Sequence, residues 1–105
     1  MYKLMIVDDE EIILDGLKNV VEWENLGIEV ISYAYNGKEA LEKIAENVPD
    51  ILITDISMPV MDGIELVREL RERGFDSIKI VFLSGYNDFE YARNATRLGA
   101  VDYLL

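Results

Sequence analysis

The chain has 105 residues, 50% of them hydrophobic, which is enough for one compact domain with its own core and too few for two. Its 21 acidic residues against 10 basic ones give a formal charge of −11, which repels a phosphate backbone wherever the surface is not locally basic, so direct nucleic-acid binding by this chain is disfavoured. Cysteine and histidine are absent, which excludes disulfides, thiolate nucleophiles, sulfur-ligated metals and imidazole acid–base chemistry, and leaves carboxylates and hydroxyls to carry any reaction.

In chain order, short apolar runs rich in β-branched residues at 4–7, 28–31, 51–54, 78–83 and 101–105 predict five strands. Strands apolar on both faces and separated by helix-length connections point to a parallel sheet covered on both sides, an α/β architecture. The first connection carries Ile13, Leu17, Val20 and Val21 on one helical stripe, the second Leu41, Ile44 and Ala45, the third Ile64, Val67 and Leu70. Capping-box pairs open three connections, Asn36 with Glu39, Asp62 with Glu65 and Asn87 with Glu90, each able to bond first-turn amides reciprocally. Gly27, Gly37, Gly63, Gly74 and Gly99 fall at predicted element ends. There is no internal repeat, low-complexity tract or linker. No apolar run approaches the ~18 residues that a membrane span needs, so no membrane contact is expected and the expected setting is the cytoplasm. The alternation stops at a fifth strand with no helix after it, and residues 1–105 are therefore read as one domain cut before its last helix, part of a longer protein.

In an open parallel sheet, ligands bind outside the carboxyl ends of the strands where the strand order reverses. Asp8 and Asp9 follow the first strand and Asp55 follows the third, so adjacent first and third strands would gather three carboxylates. Three like charges so close call for a divalent cation, and an all-oxygen set suits a hard ion such as Mg²⁺, which keeps waters that a phosphoryl oxygen can replace. The plainer alternative is that Asp8, Asp9 and Glu10 cap the first helix while Asp55 merely ends a strand. The stretch from Ser57 through Met58, Pro59, Val60, Met61 and Asp62 to Gly63 favours the first reading, because it sets a proline-stiffened loop over the acids.

The motifs Val7-Asp8-Asp9-Glu10, Thr54-Asp55 to Asp62-Gly63 and Leu83-Ser84-Gly85 together resemble the receiver domains of two-component response regulators, over the whole chain. The resemblance implies a flavodoxin-like (CheY-like) five-stranded sheet in the order 2-1-3-4-5 with helices on both faces. It also implies that Asp55 is the nucleophile and phosphoacceptor, that Asp9 binds Mg²⁺ directly and Asp8 mainly through water, and that the Ser57 carbonyl is a further ligand. Ser84 matches the hydroxyl position that bonds the phosphoryl group, and Tyr103 the aromatic switch position. The family's lysine after that tyrosine, and its fifth helix, lie past Leu105. The expected partners are a sensor histidine kinase as phosphodonor and a second copy, a homodimer formed through the family's face of helix 4, strand 5 and helix 5. The segments from Trp23 to Gly27 and from Tyr86 to Ala92 are similar to receivers of AraC/YesN-type transcriptional regulators, which implies a helix-turn-helix output domain beyond this chain as the only contact with DNA. Trp23 is also expected to anchor the end of the first helix.

Two other classes compete. A pseudo-receiver, binding partners without phosphate, has little use for the full set Asp8, Asp9, Asp55 and Ser84. An aspartate-nucleophile phosphatase acting on outside substrates needs an acid two residues after the nucleophile, where this chain has Ser57. No enzyme activity beyond the domain's own phosphorylation and dephosphorylation is expected. A nucleotide or flavin carrier is disfavoured because no glycine-rich phosphate loop follows the first strand.

Overall fold

The computed structural model describes residues 1–83 and the backbone of residues 102–104. The order of elements is β1 (Tyr2–Val7), α1 (Glu11–Val20), a short 3-10 turn (Trp23–Leu26), β2 (Ile28–Ala34), α2 (Gly37–Glu46), β3 (Ile51–Asp55), α3 (Gly63–Glu72), β4 (Lys79–Leu83) and β5 (Asp102–Leu104). All pairings are parallel, in the order β2-β1-β3-β4-β5. The expected flavodoxin-like, CheY-like sheet is therefore what forms. Asn87, Ser84 and Gly99 lie outside the described residues.

The alternation of side chains along each strand divides the core in two. Met5, Val7, Leu52, Ile80 and Phe82 face α2 and α3, where Ala40, Leu41, Ile44, Ile64, Leu66, Val67 and Leu70 close over them. Leu4, Ile6 and Ile53 face the other way, onto Leu14 of α1 with Leu17 and Trp23 against them. Because both faces of β1 and β3 are covered, these strands read as unbroken apolar runs instead of alternating ones.

Two helical stripes differ from expectation. In α1 the buried residue is Leu14, with Leu17 packed beside it, while Ile13 is 37% and Val20 79% exposed. The helix is rotated toward Leu14 because the neighbouring apolar positions allow either face, and sheet contact decides between them. In α2 the buried set is Gly37, Ala40, Leu41 and Ile44, and Ala45 is exposed. The α3 stripe is as expected. The ring N–H of Trp23 donates to the Leu17 carbonyl at 2.8 Å, which anchors the C-terminal end of α1 as expected.

Caps set where α2 and α3 begin. The Asn36 side chain accepts from the Glu39 amide at 2.8 Å. At α3 the box is reciprocal: the Glu65 amide donates to Asp62 Oδ1 at 2.8 Å, and the Asp62 amide to Glu65 Oε1 at 3.3 Å.

Candidate functional site at the carboxyl ends of β1 and β3

The parallel register of β1 on β3 pairs Val7 with Thr54, so Asp8, just past β1, and Asp55, the last residue of β3, stand at the same level. This is the point where the chain order reverses, with β2 on one side of β1 and β3 on the other. The sheet backbone continues one step past β1 and β3: the Asp8 amide donates to the Ala34 carbonyl at 3.1 Å, and the Ile56 amide to the Leu83 carbonyl at 3.2 Å. Both acid-bearing turns are thus tied to the adjacent strand, which holds their positions rigidly.

Asp8, Asp9 and Asp55 each offer a carboxylate oxygen, and these oxygens all lie within 4.8 Å of one another. Asp8 is buried, Asp55 half-buried and Asp9 exposed, so the cluster runs from the interior to solvent. Burial pushes the Asp8 carboxyl above its ordinary value; the Glu10 amide, donating to Asp8 Oδ1 at 2.8 Å, opposes this, and the nearby acids Asp9 and Glu10 raise it further. Of the acids expected to cap α1, Glu10 holds the N-cap position, where no side-chain cap bond forms. A capping bond therefore does not account for the convergence of Asp8, Asp9 and Asp55.

The donor set fits a small hard cation. Opposite ligands of an octahedral Mg²⁺ stand about 4 Å apart and adjacent ones about 3 Å, so oxygens already gathered within 4.8 Å need only a small contraction. Asp8, Asp9 and Asp55 are the residues that could hold the ion. Ser57, whose carbonyl was expected to join them, lies exposed two residues past Asp55. Tyr103 sits in β5 opposite Phe82 of β4, and Ser84 follows β4 immediately in sequence.

Several contributors have no separate signal in the sequence. Thr54 is fully buried, and its hydroxyl donates to the Asp55 carbonyl at 3.0 Å. Gly63 is packed against the same carbonyl: a Cβ there would stand 2.1 Å from it, and the Gly63 amide donates to the Ile56 carbonyl at 2.7 Å. Gly63 is recognisable in the sequence as an element end, but the reason for glycine is this close approach of backbone to backbone.

The comparisons with known proteins agree with this geometry. The family model for the response regulator receiver domain matches residues 4–105. The chain belongs to that family. It is 48% identical over all 105 residues to the transcriptional regulatory protein YesN of Bacillus subtilis, covering 28% of that protein. It is 37% identical, again over its whole length, to the transcriptional regulatory protein HptR of Staphylococcus aureus, covering 40% of it. The chain thus spans less than half the length of these curated relatives. Among solved structures, the REC domain of AraT, a response regulator from Geobacillus stearothermophilus, superposes with a TM-score of 0.90 at 39% identity, covering 99% of this chain and 80% of that one. A two-component transcriptional regulator AraC from Clostridium phytofermentans gives 0.86 at 37% identity, covering 98% and 79%. This receiver is accordingly of the type found in AraC/YesN-like regulators. Among the described residues, no helix is long and apolar enough to cross a membrane.

Proposed function

We propose that this receiver is a phosphorylation switch in which Asp55 accepts a phosphoryl group from a sensor histidine kinase beside a Mg²⁺ ion held by Asp8, Asp9 and Asp55. The observation that carries the reading is the convergence of the three carboxylates at the strand-order reversal, one of them buried at a cost that a bound cation would offset. When bound, the ion neutralises the charge that gathers on the phosphoryl oxygens. Asp55 supplies the nucleophile: one carboxylate oxygen forms the new bond to phosphorus as the bond to the donor's leaving group breaks, and the acyl phosphate remains on Asp55. Phosphoryl transfer through a loose transition state asks for positioning and charge neutralisation more than for acid–base help, which suits a site without histidine. Asp8, fixed by the Glu10 amide, keeps the cluster negative enough to attract the cation. The Ser57 carbonyl is assigned as a further metal ligand, Ser84 as hydroxyl donor to the phosphoryl group, and Tyr103 as the ring that turns inward with it.

In this reading the domain modifies only itself, in the cytoplasm, and its output is transcriptional through a DNA-binding domain beyond residues 1–105. Homodimerisation on the face that includes β5 belongs to the same proposal. Incubation with Mg²⁺ and acetyl phosphate, followed by intact-mass measurement, tests it. The expected result is one added phosphoryl group that requires Mg²⁺ and is absent in Asp55→Asn. Absence of the adduct from the full-length protein would move the assignment to a phosphate-independent interaction module.

A further inference from the structure

The loop from Ile56 to Asp62 is held from an unexpected direction. Its base is closed by the Gly63 amide donating to the Ile56 carbonyl at 2.7 Å. Its tip is a three-residue turn in which the Met61 amide donates to the Pro59 carbonyl at 2.8 Å across Val60, whose φ is 71°. A γ-turn with positive φ is rare and strained, and a β-branched residue is poorly suited to it. Such a turn persists only where its surroundings over-determine it. Besides the Ile56 amide's bond to β4, a tie leaves the loop toward α2: the Gly37 amide donates to the Met61 carbonyl at 3.1 Å.

Gly37 also has no room for a side chain. A Cβ there would lie 2.7 Å from Met61 Cγ, 2.8 Å from its carbonyl oxygen and 3.0 Å from its Cβ, and these three nearest atoms all belong to Met61. Glycine is a poor helix residue, yet it occupies the first turn of α2. The nearest steric demand on it therefore comes from Met61 of the acceptor loop, whose side chain packs in turn against the hydrophobic core.

We propose that Gly37 is a positioning residue for the phosphoacceptor site: it docks the start of α2 on Met61 and thereby holds the strained turn at Val60 and, through it, the Ser57 segment at the metal. This rests on the Mg²⁺-dependent reading above. A side chain at 37 pushes Met61 away, releases the turn and lets the Ser57 carbonyl drift, so the loss appears in metal affinity first.

The test is a Mg²⁺ titration of the ¹⁵N-labelled protein, with Gly37→Ala compared with Gly16→Ala, whose added methyl meets nothing within 4 Å. In the wild type the Gly37 amide resonance is expected to shift with the same Mg²⁺ midpoint as those of Asp9 and Asp55. Gly37→Ala is expected to weaken Mg²⁺ binding about tenfold, the usual size for losing an outer support of a metal site, and Gly16→Ala to leave it unchanged. Raising Mg²⁺ should restore the phosphorylation rate of Gly37→Ala with acetyl phosphate, which a merely misfolded variant does not allow. A wild-type Gly37 resonance that stays still while those of Asp9 and Asp55 move overturns the proposal even if Gly37→Ala fails to fold, as does a Gly37→Ala protein with wild-type Mg²⁺ affinity. A wild type that binds no Mg²⁺ overturns the phosphoacceptor reading itself, and this inference with it.

Discussion

Asp8 is only 3% exposed, and among the described residues it is, with Thr54, one of two buried polar side chains. Its Oδ1 accepts the Glu10 amide, yet burial outweighs that bond and raises its carboxyl above the ordinary value. For an acid raised on folding, the folded state holds its proton to higher pH than the unfolded chain. The penalty is therefore absent below the unfolded value, grows as pH rises between the two, and is complete above the folded value. Asp8→Asn keeps an oxygen for the Glu10 amide and removes the charge. In metal-free buffer at neutral pH it is expected to raise stability by about 1 kcal/mol, an ordinary size for relief of one unfavourable buried group, and the gain should vanish as pH falls through the unfolded carboxylate value. Urea melts of both proteins across that range measure it; equal midpoints at neutral pH would refute the assigned cost. Under the proposed function the same substitution should weaken Mg²⁺ binding, because the charge that is costly to bury is the charge that would attract the ion.

At the scale of the elements, two glycines separate close packing from free space. At Gly63, a Cβ would meet the Asp55 carbonyl at 2.1 Å, and because that atom is backbone of β3, it cannot turn aside like a flexible side chain. Gly63→Ala is expected to lose about 2 kcal/mol, in the range for overpacking a tight site, and to lower Mg²⁺ affinity by displacing Asp55. At Gly16, inside α1 and with open space around it, Ala should instead add about 0.8 kcal/mol through helix propensity. Thermal melts in which Gly63→Ala was as stable as the parent protein or more so would show that the packing described at Gly63 is wrong. These positions also mark what can be read without the fold. All five strands and the starts of α2 and α3 are legible because each rests on local chemistry: β-branched runs, and the side chains of Asn36 and Asp62 bonding the amide three residues on. The acid cluster is legible too, since β-α alternation already places Asp8, Asp9 and Asp55 at strand ends. The face that α1 buries is legible only in part: Leu17 packs as expected, but Ile13 and Val20 compete with Leu14 on one short helix, and only contact with Leu4, Ile6 and Ile53 selects between them. The docking of Gly37 on Met61 is not legible, because it joins residues 24 apart in sequence (61 − 37). The register shift between Leu4 and Met5 in the β1–β2 pair likewise has no local signature.

For the whole molecule, a formal charge of −11 on 105 residues means that folding compresses like charges, and two kinds of cation effect follow that must be told apart. Monovalent salt screens the general repulsion over a Debye length of about 10 Å at 0.1 M, so the urea midpoint should rise as NaCl increases from low concentration. Mg²⁺ screens as well, but under the proposed function it would also bind the folded state at one place, and binding to the folded state alone adds about 1.4 kcal/mol at tenfold excess over the dissociation constant. At matched ionic strength Mg²⁺ should therefore stabilise the chain beyond NaCl. The two responses part in the variants: Asp8→Asn and Asp55→Asn should keep the NaCl slope, since each removes one charge of many, and lose most of the extra Mg²⁺ stabilisation, since each removes one of three converging carboxylates. If both variants retained that extra stabilisation, Mg²⁺ would be acting as a diffuse counterion and the cluster at β1 and β3 would not be its site. If both lost it, the molecule's excess acidity would divide into a surface that only needs screening and three residues that need an ion.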